Sequence, residues 1–460
     1  MYIIDMYVRY SSGTYICYTK DYVHVANIIN KQQDTFNHIG KLWLSHITQD
    51  WQNINDIINI LFNEMSIPKE QKTIFVLDYK EFLLYLCEHG YVDCNENAVA
   101  YRKTINHRLA LKNEYKLNIL TIEVTEVCNE RCVHCYIPND IKNIGIRMKL
   151  EMYKALVSDF AANGGKIVRL TGGEILTHPD LKKMIEYNRH MNLSTELSSN
   201  LSCINHDMLD YFLETVSHIQ VSLYSTISTT HDEITGVHGS YEKTIDAIQY
   251  LQERGMKISI ATPILKKNQN DIIKILEFAK KRMMKVALEP IITAELNGQK
   301  KNLVQRLTLR EINLLLKRIA KYSIIEYENQ FLRQQYQDIN SPSYDFLEFL
   351  LRPICNVGRN SISVSAKGVF TPCVAWHENP LGHFNKNNIN EIFHSNELES
   401  LRSIREYSFQ KQCVFCDAKE FCIRCMKRNS YEKGEKFYNP ESFCQVYKMM
   451  KKIYDKYSKI

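Results

Sequence analysis

The segment NILTIEVTEVCNERCVHCYIP, residues 118–138, joins a strand-like run to three closely spaced cysteines. The run NILTIEVT (118–125) is rich in the β-branched residues that favour strands. Cys128, Cys132 and Cys135 follow it directly in a C-x3-C-x2-C arrangement. In α/β barrels, the loops at the carboxyl ends of the strands carry the chemistry. The segment therefore predicts a reactive site built on three thiols at one end of such a barrel.

The residues around this segment repeat one theme, in which a strand-like run is followed by an amphipathic helix. The candidate strands are residues 118–125, 166–171, 194–199, 218–224, 257–263 and 285–290. Helical patterns between them end at glycines, as MYKALVSDFAA does before Gly164 and YEKTIDAIQYLQER before Gly255. This alternation predicts βαβ units and a parallel sheet. Since a closed barrel of this type has eight units, six units predict an α/β fold with a partial (β/α)6 barrel.

Patterning divides the 460 residues into five predicted parts. Residues 1–95 contain short β-like runs and three helical patterns, GKLWLSHI, NINDIINILFNEM and EFLLYLCEHG, which predict a small winged-helix-like domain. Residues 96–117 are predicted to be a linker and residues 118–295 the barrel. Residues 296–352 are predicted to form a helical bridge, and residues 353–460 a cysteine-rich domain.

Composition excludes several classes of protein. Hydrophobic residues make up 45% and charged residues 24%, as in ordinary globular proteins. The net charge of +6 is too small to indicate nucleic acid as a partner. No apolar run reaches the about 18 residues needed to span a bilayer, and MYIIDMYVRY lacks a signal-peptide pattern. We therefore expect a cytoplasmic protein with no nucleic-acid and no membrane partner.

The cysteine pattern indicates metal chemistry. Reducing compartments disfavour disulfides, so that clustered cysteines there more often bind metal or react. Three thiolates can ligate three irons of a cubane cluster and leave the fourth iron open. A zinc site is the alternative, with His134 as a possible fourth ligand. The scattered Cys17, Cys87, Cys94 and Cys203 are expected to fill cores.

The three-cysteine motif resembles that of the radical S-adenosylmethionine (radical SAM) superfamily. In this family the residue before the last cysteine is commonly aromatic or His and packs near adenine, a position that His134 occupies. The resemblance implies that Cys128, Cys132 and Cys135 hold a catalytic [4Fe-4S] cluster. The resemblance further implies that this cluster passes an electron to S-adenosyl-L-methionine (SAM) and so generates a 5′-deoxyadenosyl radical.

A second motif agrees with this resemblance. The run RLTGGE ends the next strand, and its Gly172, Gly173 and Glu174 resemble the family segment that holds the methionine amine of SAM. Such a segment needs a hydrogen-bond acceptor and close backbone approach. The resemblance further implies cofactor contacts, through ribose or carboxylate, at Ser199, Asn200 and Ser222.

The last part of the chain resembles the SPASM extension of radical SAM enzymes, which houses two auxiliary iron–sulfur clusters. Its seven cysteines are Cys355, Cys373, Cys413, Cys416, Cys422, Cys425 and Cys444. The resemblance assigns Cys413, Cys416, Cys422 and Cys444 to a distal cluster, and the other three to a nearer one. The last pair is spaced x2, where the extension usually has x3. Three [4Fe-4S] clusters are therefore expected in total, with a zinc-binding tail as the alternative.

The number of auxiliary cysteines is itself informative. Two fully ligated cubanes need eight thiolates, and DFLEFLLRPI, which precedes Cys355, supplies none. An iron of the nearer cluster is therefore expected to be open to a substrate thiolate, since metal binding holds a thiol as its anion. The alternative is that a scattered cysteine serves as the eighth ligand.

The first 95 residues resemble a PqqD-like precursor-recognition element. The matching text is FNHIGKLWLSHITQ, NINDIINILF and DYKEFLLYLCEHGYV. The resemblance implies that a leader peptide adds as a strand near residues 30–38 and packs beside a helix at 80–90. A DNA-reading winged helix is the alternative, but EFLLYLCEH has no Lys or Arg.

Together these resemblances predict a radical SAM peptide maturase of the sactipeptide or ranthipeptide type. It would form thioether bonds in a ribosomally made precursor peptide with a leader, and would receive electrons from a flavodoxin or ferredoxin. The alternatives are a cyclophane or carbon–carbon crosslinking maturase, a peptide epimerase and, from a different class, a zinc-binding peptide scaffold.

Overall fold

The computed structural model describes residues 6–95, 115–326, 341–409, 411–414, 416–433 and 440–457. The chain forms two compact units that interleave along the sequence. The first lies within residues 1–112, 335–353 and 405–420, and the second within 113–334, 354–404 and 421–460. Most of the linker predicted over 96–117, and part of the bridge predicted over 296–352, lie outside the described residues. The predicted domain boundaries therefore stay a prediction.

The first unit contains two small antiparallel sheets and short helices. One sheet has strands Gln52–Asn53, Tyr7–Tyr10 and Val92–Asn95, in that spatial order. The other has Thr14–Tyr18, Val23–Asn27 and Gln32–Phe36. The helices are His38–Leu44, Ile54–Glu64, Lys72–Glu88, Phe346–Leu351 and Lys411–Val414, with 3-10 turns at Lys69–Gln71 and Glu406–Ser408.

The third helix of this unit is longer than its sequence pattern predicts. The pattern EFLLYLCEHG starts at residue 81, whereas the helix begins at Lys72. Buried Phe75 and Tyr79 continue the spacing of Leu83 and Leu86 toward the amino terminus, so that one apolar stripe runs along the whole helix. This stripe packs into the core of the unit with the helix Ile54–Glu64.

The second unit is built on a parallel sheet. Its strands are Ile119–Thr125, Ile167–Gly172, Ser194–Ser199, His218–Ser222, Ile258–Pro263 and Lys285–Glu289, paired in chain order. All six predicted strands are present, and the predicted partial barrel is confirmed. Among the described strands, Lys285–Glu289 pairs on one side only, so that the sheet ends there. At the opposite end, Ser361–Val364 pairs in parallel with Ile119–Thr125.

The cysteine-rich part thus extends the barrel sheet. Val369–Thr371 and Gly382–His383 continue it in antiparallel fashion beyond Ser361–Val364. The helices of the second unit are Asn139–Ile144, Leu150–Ala162, Leu181–His190, His206–Thr215, Ser228–Thr235, Ser240–Glu253, Ile272–Lys281, Leu309–Glu326, Ile389–Phe393, Asn396–Arg402, Met426–Lys433 and Glu441–Tyr457. No described helix is both long and apolar enough to cross a bilayer.

We expect the first barrel strand to be the centre of stability. Leu120 is fully buried there, with Val168 and Ile362 as its partners on either side. Leu120→Ala should lower the free energy of unfolding by about 2–5 kcal/mol, because it removes buried methyl groups and leaves a cavity. Urea unfolding followed by circular dichroism measures this.

The matched control is Leu314→Ala, since Leu314 is 54% exposed on a helix. A surface substitution of this kind should change stability by no more than about 0.5 kcal/mol. If both variants lost the same free energy of unfolding, the first barrel strand would not be the centre of stability.

Candidate active site

A cavity of about 180 Å³ lies at the carboxyl ends of the barrel strands. It collects side chains and backbone from the ends of the second, third and fourth barrel strands and from the loop after the first. All ten positions predicted for the radical SAM site line it: Cys128, Cys132, Cys135, His134, Gly172, Gly173, Glu174, Ser199, Asn200 and Ser222. The structure thus brings together residues that are up to 94 positions apart in the chain.

The two glycines are required by close backbone packing. The N–H of Gly173 donates to Thr125 O and the N–H of Glu174 to Val127 O, both at 2.8 Å. A Cβ on Gly172 would lie 2.2 Å from Thr125 O, and a Cβ on Gly173 would lie 2.2 Å from Val127 O. Gly172 also has a φ of 139°, which other residues rarely adopt. Only glycine therefore lets this strand end lie against the cysteine loop.

Glu174 is a buried acid surrounded by donors. Its carboxylate accepts hydrogen bonds from Ser199 Oγ at 2.6 Å, from Asn200 N at 2.8 Å and from Leu176 N at 3.1 Å. Burial nevertheless raises the pKa of Glu174 to about 7. A cation that enters the cavity would favour the charged carboxylate, since an opposite charge offsets the cost of burial. Glu174 is thus suited to hold an ammonium group.

A second buried acid, Glu130, was missed by sequence reasoning. It lies between the first two cysteines, accepts from Ser202 Oγ at 2.9 Å and contacts Cys132 Sγ at 3.4 Å. Asn129 adds to this network, donating to Ser202 Oγ and accepting from Asn200 Nδ2. The only sequence signal was a run of polar residues, NER, inside the motif.

His134 contributes an aromatic wall. Its ring packs edge-to-face on Tyr224, with 4.7 Å between the ring centroids. Burial lowers the pKa of His134 to about 4, so that the imidazole is neutral near pH 7. A neutral ring of this kind suits a planar aromatic ligand better than an anion. Tyr224 was not among the predicted site residues.

The cysteines fit an iron–sulfur cluster. Burial raises the pKa of Cys128 to about 11 and that of Cys132 well above its usual value. Cationic iron would reverse this effect, since metal ions hold coordinating thiols as thiolates. Within the described residues, no three His, Cys, Asp or Glu side chains are grouped to hold one metal ion.

A second, larger cavity of about 430 Å³ adjoins the first. The two cavities share lining residues, namely His134, Tyr136, Ser222 and Tyr224. The larger one is also lined by Cys425 and by an acid–base pair, Glu289 and Arg428, at 3.4 Å. None of these further residues except Cys425 was predicted.

The cysteines assigned to the nearer auxiliary cluster are electrostatic neighbours. Burial raises the pKa of Cys373 to about 11, and the negative charges of Cys425 and Cys355 contribute to this rise. Cys422 and Cys444 lie in the second unit, whereas Cys413 and Cys416 lie in the first. The ligand set of the distal cluster therefore stays a prediction. Of the scattered cysteines, Cys17 is buried as expected, but Cys203 is exposed and fills no core.

Comparison with known proteins identifies the two functional regions. Residues 122–279 match the radical SAM superfamily, and residues 355–426 match the SPASM iron–sulfur cluster-binding domain. The chain therefore contains a radical SAM domain followed by a SPASM domain. Its site therefore implies a [4Fe-4S] cluster and SAM. Cys444 lies beyond the matched part of the SPASM domain.

Relatives of this radical SAM protein have diverse activities. "AdoMet-dependent heme synthase" of Methanosarcina barkeri (strain Fusaro / DSM 804) is 24% identical over 75% of the chain and all of its own length. "Antilisterial bacteriocin subtilosin biosynthesis protein AlbA" of Bacillus subtilis (strain 168) is 23% identical over 68% of both chains.

Among solved structures, Streptococcus suis SuiB bound to S-adenosylmethionine matches with a TM-score of 0.54. It is 15% identical and covers 95% of this chain and 99% of its own. SuiB bound to its precursor peptide SuiA matches with a TM-score of 0.52 and 13% identity, over 95% of this chain and 99% of its own. Because the sequence identities are only 15% and 13%, these matches show that the fold is that of radical SAM enzymes and nothing further.

The packing of Gly173 predicts a sensitive position in this radical SAM protein. Gly173→Ala forces the backbone away from Val127, so that the segment 172–174 shifts within the cavity. We expect SAM binding to weaken by about tenfold or more, which corresponds to about 1.4 kcal/mol. Equilibrium dialysis of SAM against the reconstituted protein measures the change.

Gly164→Ala is the control for glycine replacement itself. Gly164 has a φ of +80°, but a Cβ at this position would meet no atom within 4 Å. Its replacement should cost about 1–2 kcal/mol of stability and leave SAM binding unchanged. Unchanged SAM binding in Gly173→Ala would contradict the packing argument.

Proposed function

We propose that this protein modifies a ribosomally made precursor peptide, forming thioether bonds from cysteine sulfur to a carbon of an acceptor residue. The observation that carries the proposal is the joining of two cavities through four shared residues. One cavity has the residues suited to a cluster and SAM, and the other has room for part of a peptide. AlbA, a bacteriocin biosynthesis protein, and SuiB, which binds a precursor peptide, support a peptide as substrate.

The smaller cavity would hold the cofactors. Cys128, Cys132 and Cys135 would ligate the cluster, and Glu174 would accept hydrogen bonds from the methionine amine. When bound, cluster and SAM supply a 5′-deoxyadenosyl radical that can take a hydrogen atom from carbon. The protein positions these groups and excludes water, as cofactor enzymes generally do. His134 and Tyr224 would form the aromatic wall beside the adenine.

The larger cavity would hold the reacting part of the peptide. Its lining is mainly apolar and includes Ile291, Ile292 and Ala261, which suit an apolar acceptor side chain. Cys425 lies in its wall, and with Cys355 and Cys373 would hold the nearer auxiliary cluster. Three thiolates would leave one iron for a thiolate of the substrate. A flavodoxin or ferredoxin would supply the electrons in the cytoplasm, and a distal cluster would bring the total to three.

The heme synthase relative shows that sequence likeness alone does not select the reaction. If the protein were a carbon–carbon crosslinking maturase or a peptide epimerase, the smaller cavity would hold the cofactors in the same way. Neither needs the substrate thiolate for which the nearer auxiliary cysteines provide a place. A zinc-binding peptide scaffold would leave the cavity for SAM without a role.

Anaerobic incubation with SAM, dithionite and a leader-bearing precursor peptide tests the reaction. We expect 5′-deoxyadenosine and a peptide that has lost two hydrogens for each crosslink, since each thioether replaces one S–H and one C–H bond. The hydrogen atom of the C–H bond would pass to the 5′-deoxyadenosyl radical, the proton of the thiol would pass to solvent, and the surplus electron would leave through the auxiliary clusters. Mass spectrometry measures both products. Alkylation of the peptide cysteines should abolish the mass loss, and Cys128→Ala should abolish both products.

Each competing reaction gives a different result. A mass loss that survives alkylation would favour carbon–carbon crosslinking, and 5′-deoxyadenosine without any change in peptide mass would favour epimerisation. Absence of 5′-deoxyadenosine from the intact enzyme, with a colourless zinc-loaded protein, would favour the scaffold.

A groove in the first unit supports the proposed leader site. It measures about 460 Å³ and lies beside the strand Gln32–Phe36, within the region predicted to receive the leader. Among the described strands, Gln32–Phe36 has one neighbour only, so that one edge can accept a further strand. The rings of Phe36 and Trp43 each lie 5.2 Å from that of Phe82, which belongs to the helix predicted to flank the leader. The groove therefore combines an open strand edge and aromatic walls.

Phe82→Glu tests the leader site, because it places a charge between the aromatic walls. We expect binding of the leader peptide to weaken by about tenfold or more, since burial of an unpaired charge is costly. Fluorescence anisotropy of a labelled leader measures the affinity.

Leu84→Glu is the matched control, since Leu84 is 58% exposed on the same helix and lies outside the groove. It adds the same charge and should leave leader affinity unchanged. Equal affinities of Phe82→Glu and the unmodified protein would place the leader elsewhere.

A further inference from the structure

A buried lysine in the cysteine cavity has no partner. Lys142 belongs to the short helix Asn139–Ile144, lines the cavity beside the cysteines and is 3% exposed. Its Nζ makes no hydrogen bond to any residue that the structure describes. An isolated buried ammonium group is strongly disfavoured. This arrangement therefore indicates that the cavity holds a negatively charged group when the protein is complete.

Lys142 shares its cavity with the cysteines of the motif. Cys128, Cys132 and Cys135 all line the cavity into which this lysine is buried. Lys142 is also the only Lys or Arg among the described residues that line the cavity. It is thus the cation placed to offset thiolates at these positions.

Glu174 does not use this cation. Its carboxylate is held by Ser199, Asn200 and Leu176, and no ion pair joins it to Lys142 in the described part of the chain. Glu130, the other buried acid of this cavity, is held by Ser202, and the Nζ of Lys142 makes no hydrogen bond to it either. Neither acid therefore pairs with Lys142, and the lysine remains for a ligand.

We propose that Lys142 is a positioning residue that raises the reduction potential of the cluster held by Cys128, Cys132 and Cys135. The inference rests on the cofactor part of the proposed function and does not depend on the peptide reaction. One-electron reduction by dithionite or a low-potential protein donor would make the site of a bound cluster more negative by one charge. A buried cation stabilises that reduced form, because net charge and hydrogen bonds to sulfur tune such clusters.

Lys142→Met tests the inference, because it removes the charge and keeps a similar chain length. The midpoint potential is measured by anaerobic redox titration followed by electron paramagnetic resonance, without SAM or peptide. The relevant signal is the one that Cys128→Ala lacks, and iron content is measured for each sample. We expect about a tenfold smaller equilibrium constant for reduction, which is a shift of about 59 mV to more negative potential for one electron.

Two further variants separate charge from packing. Lys142→Arg keeps the charge and should keep the potential close to that of the unmodified protein. Lys149→Met removes an exposed lysine outside the cavity and should also leave the potential unchanged. Where Lys142→Met does not assemble the cluster, Lys142→Gln is titrated against Lys142→Arg in its place.

Several results would overturn the inference. An unchanged potential in Lys142→Met would do so, as would an equal shift in Lys142→Arg or in Lys149→Met. An unchanged potential with weakened SAM binding would assign Lys142 to the carboxylate of SAM instead. Because no peptide is present, failure of thioether formation leaves this measurement intact, and failure of this measurement leaves thioether formation open.

Discussion

Two backbone hydrogen bonds hold the end of the second barrel strand against the loop that carries the cysteines. They run from Gly173 to Thr125 and from Glu174 to Val127, each at 2.8 Å. This contact places a buried carboxylate, Glu174, in the same small cavity as three thiols. Any side chain on either glycine would overlap a carbonyl oxygen of the loop. The geometry of the whole site therefore depends on Gly172 and Gly173, because glycine has no Cβ atom.

The same contact explains why the cavity can be both polar and buried. Glu174 and Glu130 are each satisfied by hydroxyl or amide donors, including Ser199 for the first and Ser202 for the second. Hydrogen bonds reduce the cost of burying a carboxylate but do not remove it, and the raised pKa of both acids reflects the remainder. A cationic ligand would offset the remaining free-energy cost of burying the two carboxylates. The cavity is thus better suited to bind charged cofactors than to remain without them.

The barrel could be predicted from sequence because each strand is followed by its own helix and turn. The run KIVRLT (166–171), for example, coincides with the strand Ile167–Gly172 to within one residue at each end. The cysteines and the GGE segment could be found because their spacing is local. The beginning of the helix Lys72–Glu88 was missed, because its first turns are mixed with charged residues that hide the apolar stripe.

Glu130 and Lys142 could not be found in the same way. Lys142 lies in the polar run NDIKNI, which has the composition of an exposed turn, and yet it is buried. Its environment is created by the cysteine loop folding back over the strand ends, and no periodic pattern records such a contact. The charged residues of this site therefore became visible only in the folded chain, whereas its cysteines could be found from the linear motif.

The shared wall of the two cavities has a chemical consequence. His134 and Tyr136 flank the last motif cysteine in sequence, and both line the two cavities together with Ser222 and Tyr224. A reactive group formed in the smaller cavity would meet a substrate in the larger one across these side chains, without passing through solvent. Since the adjoining wall contains Cys425, a substrate in the larger cavity would lie beside this cysteine as well as beside the wall shared with the smaller cavity. The thioether formation proposed above would need such an arrangement, because carbon and sulfur must be held at one place while the carbon is reactive.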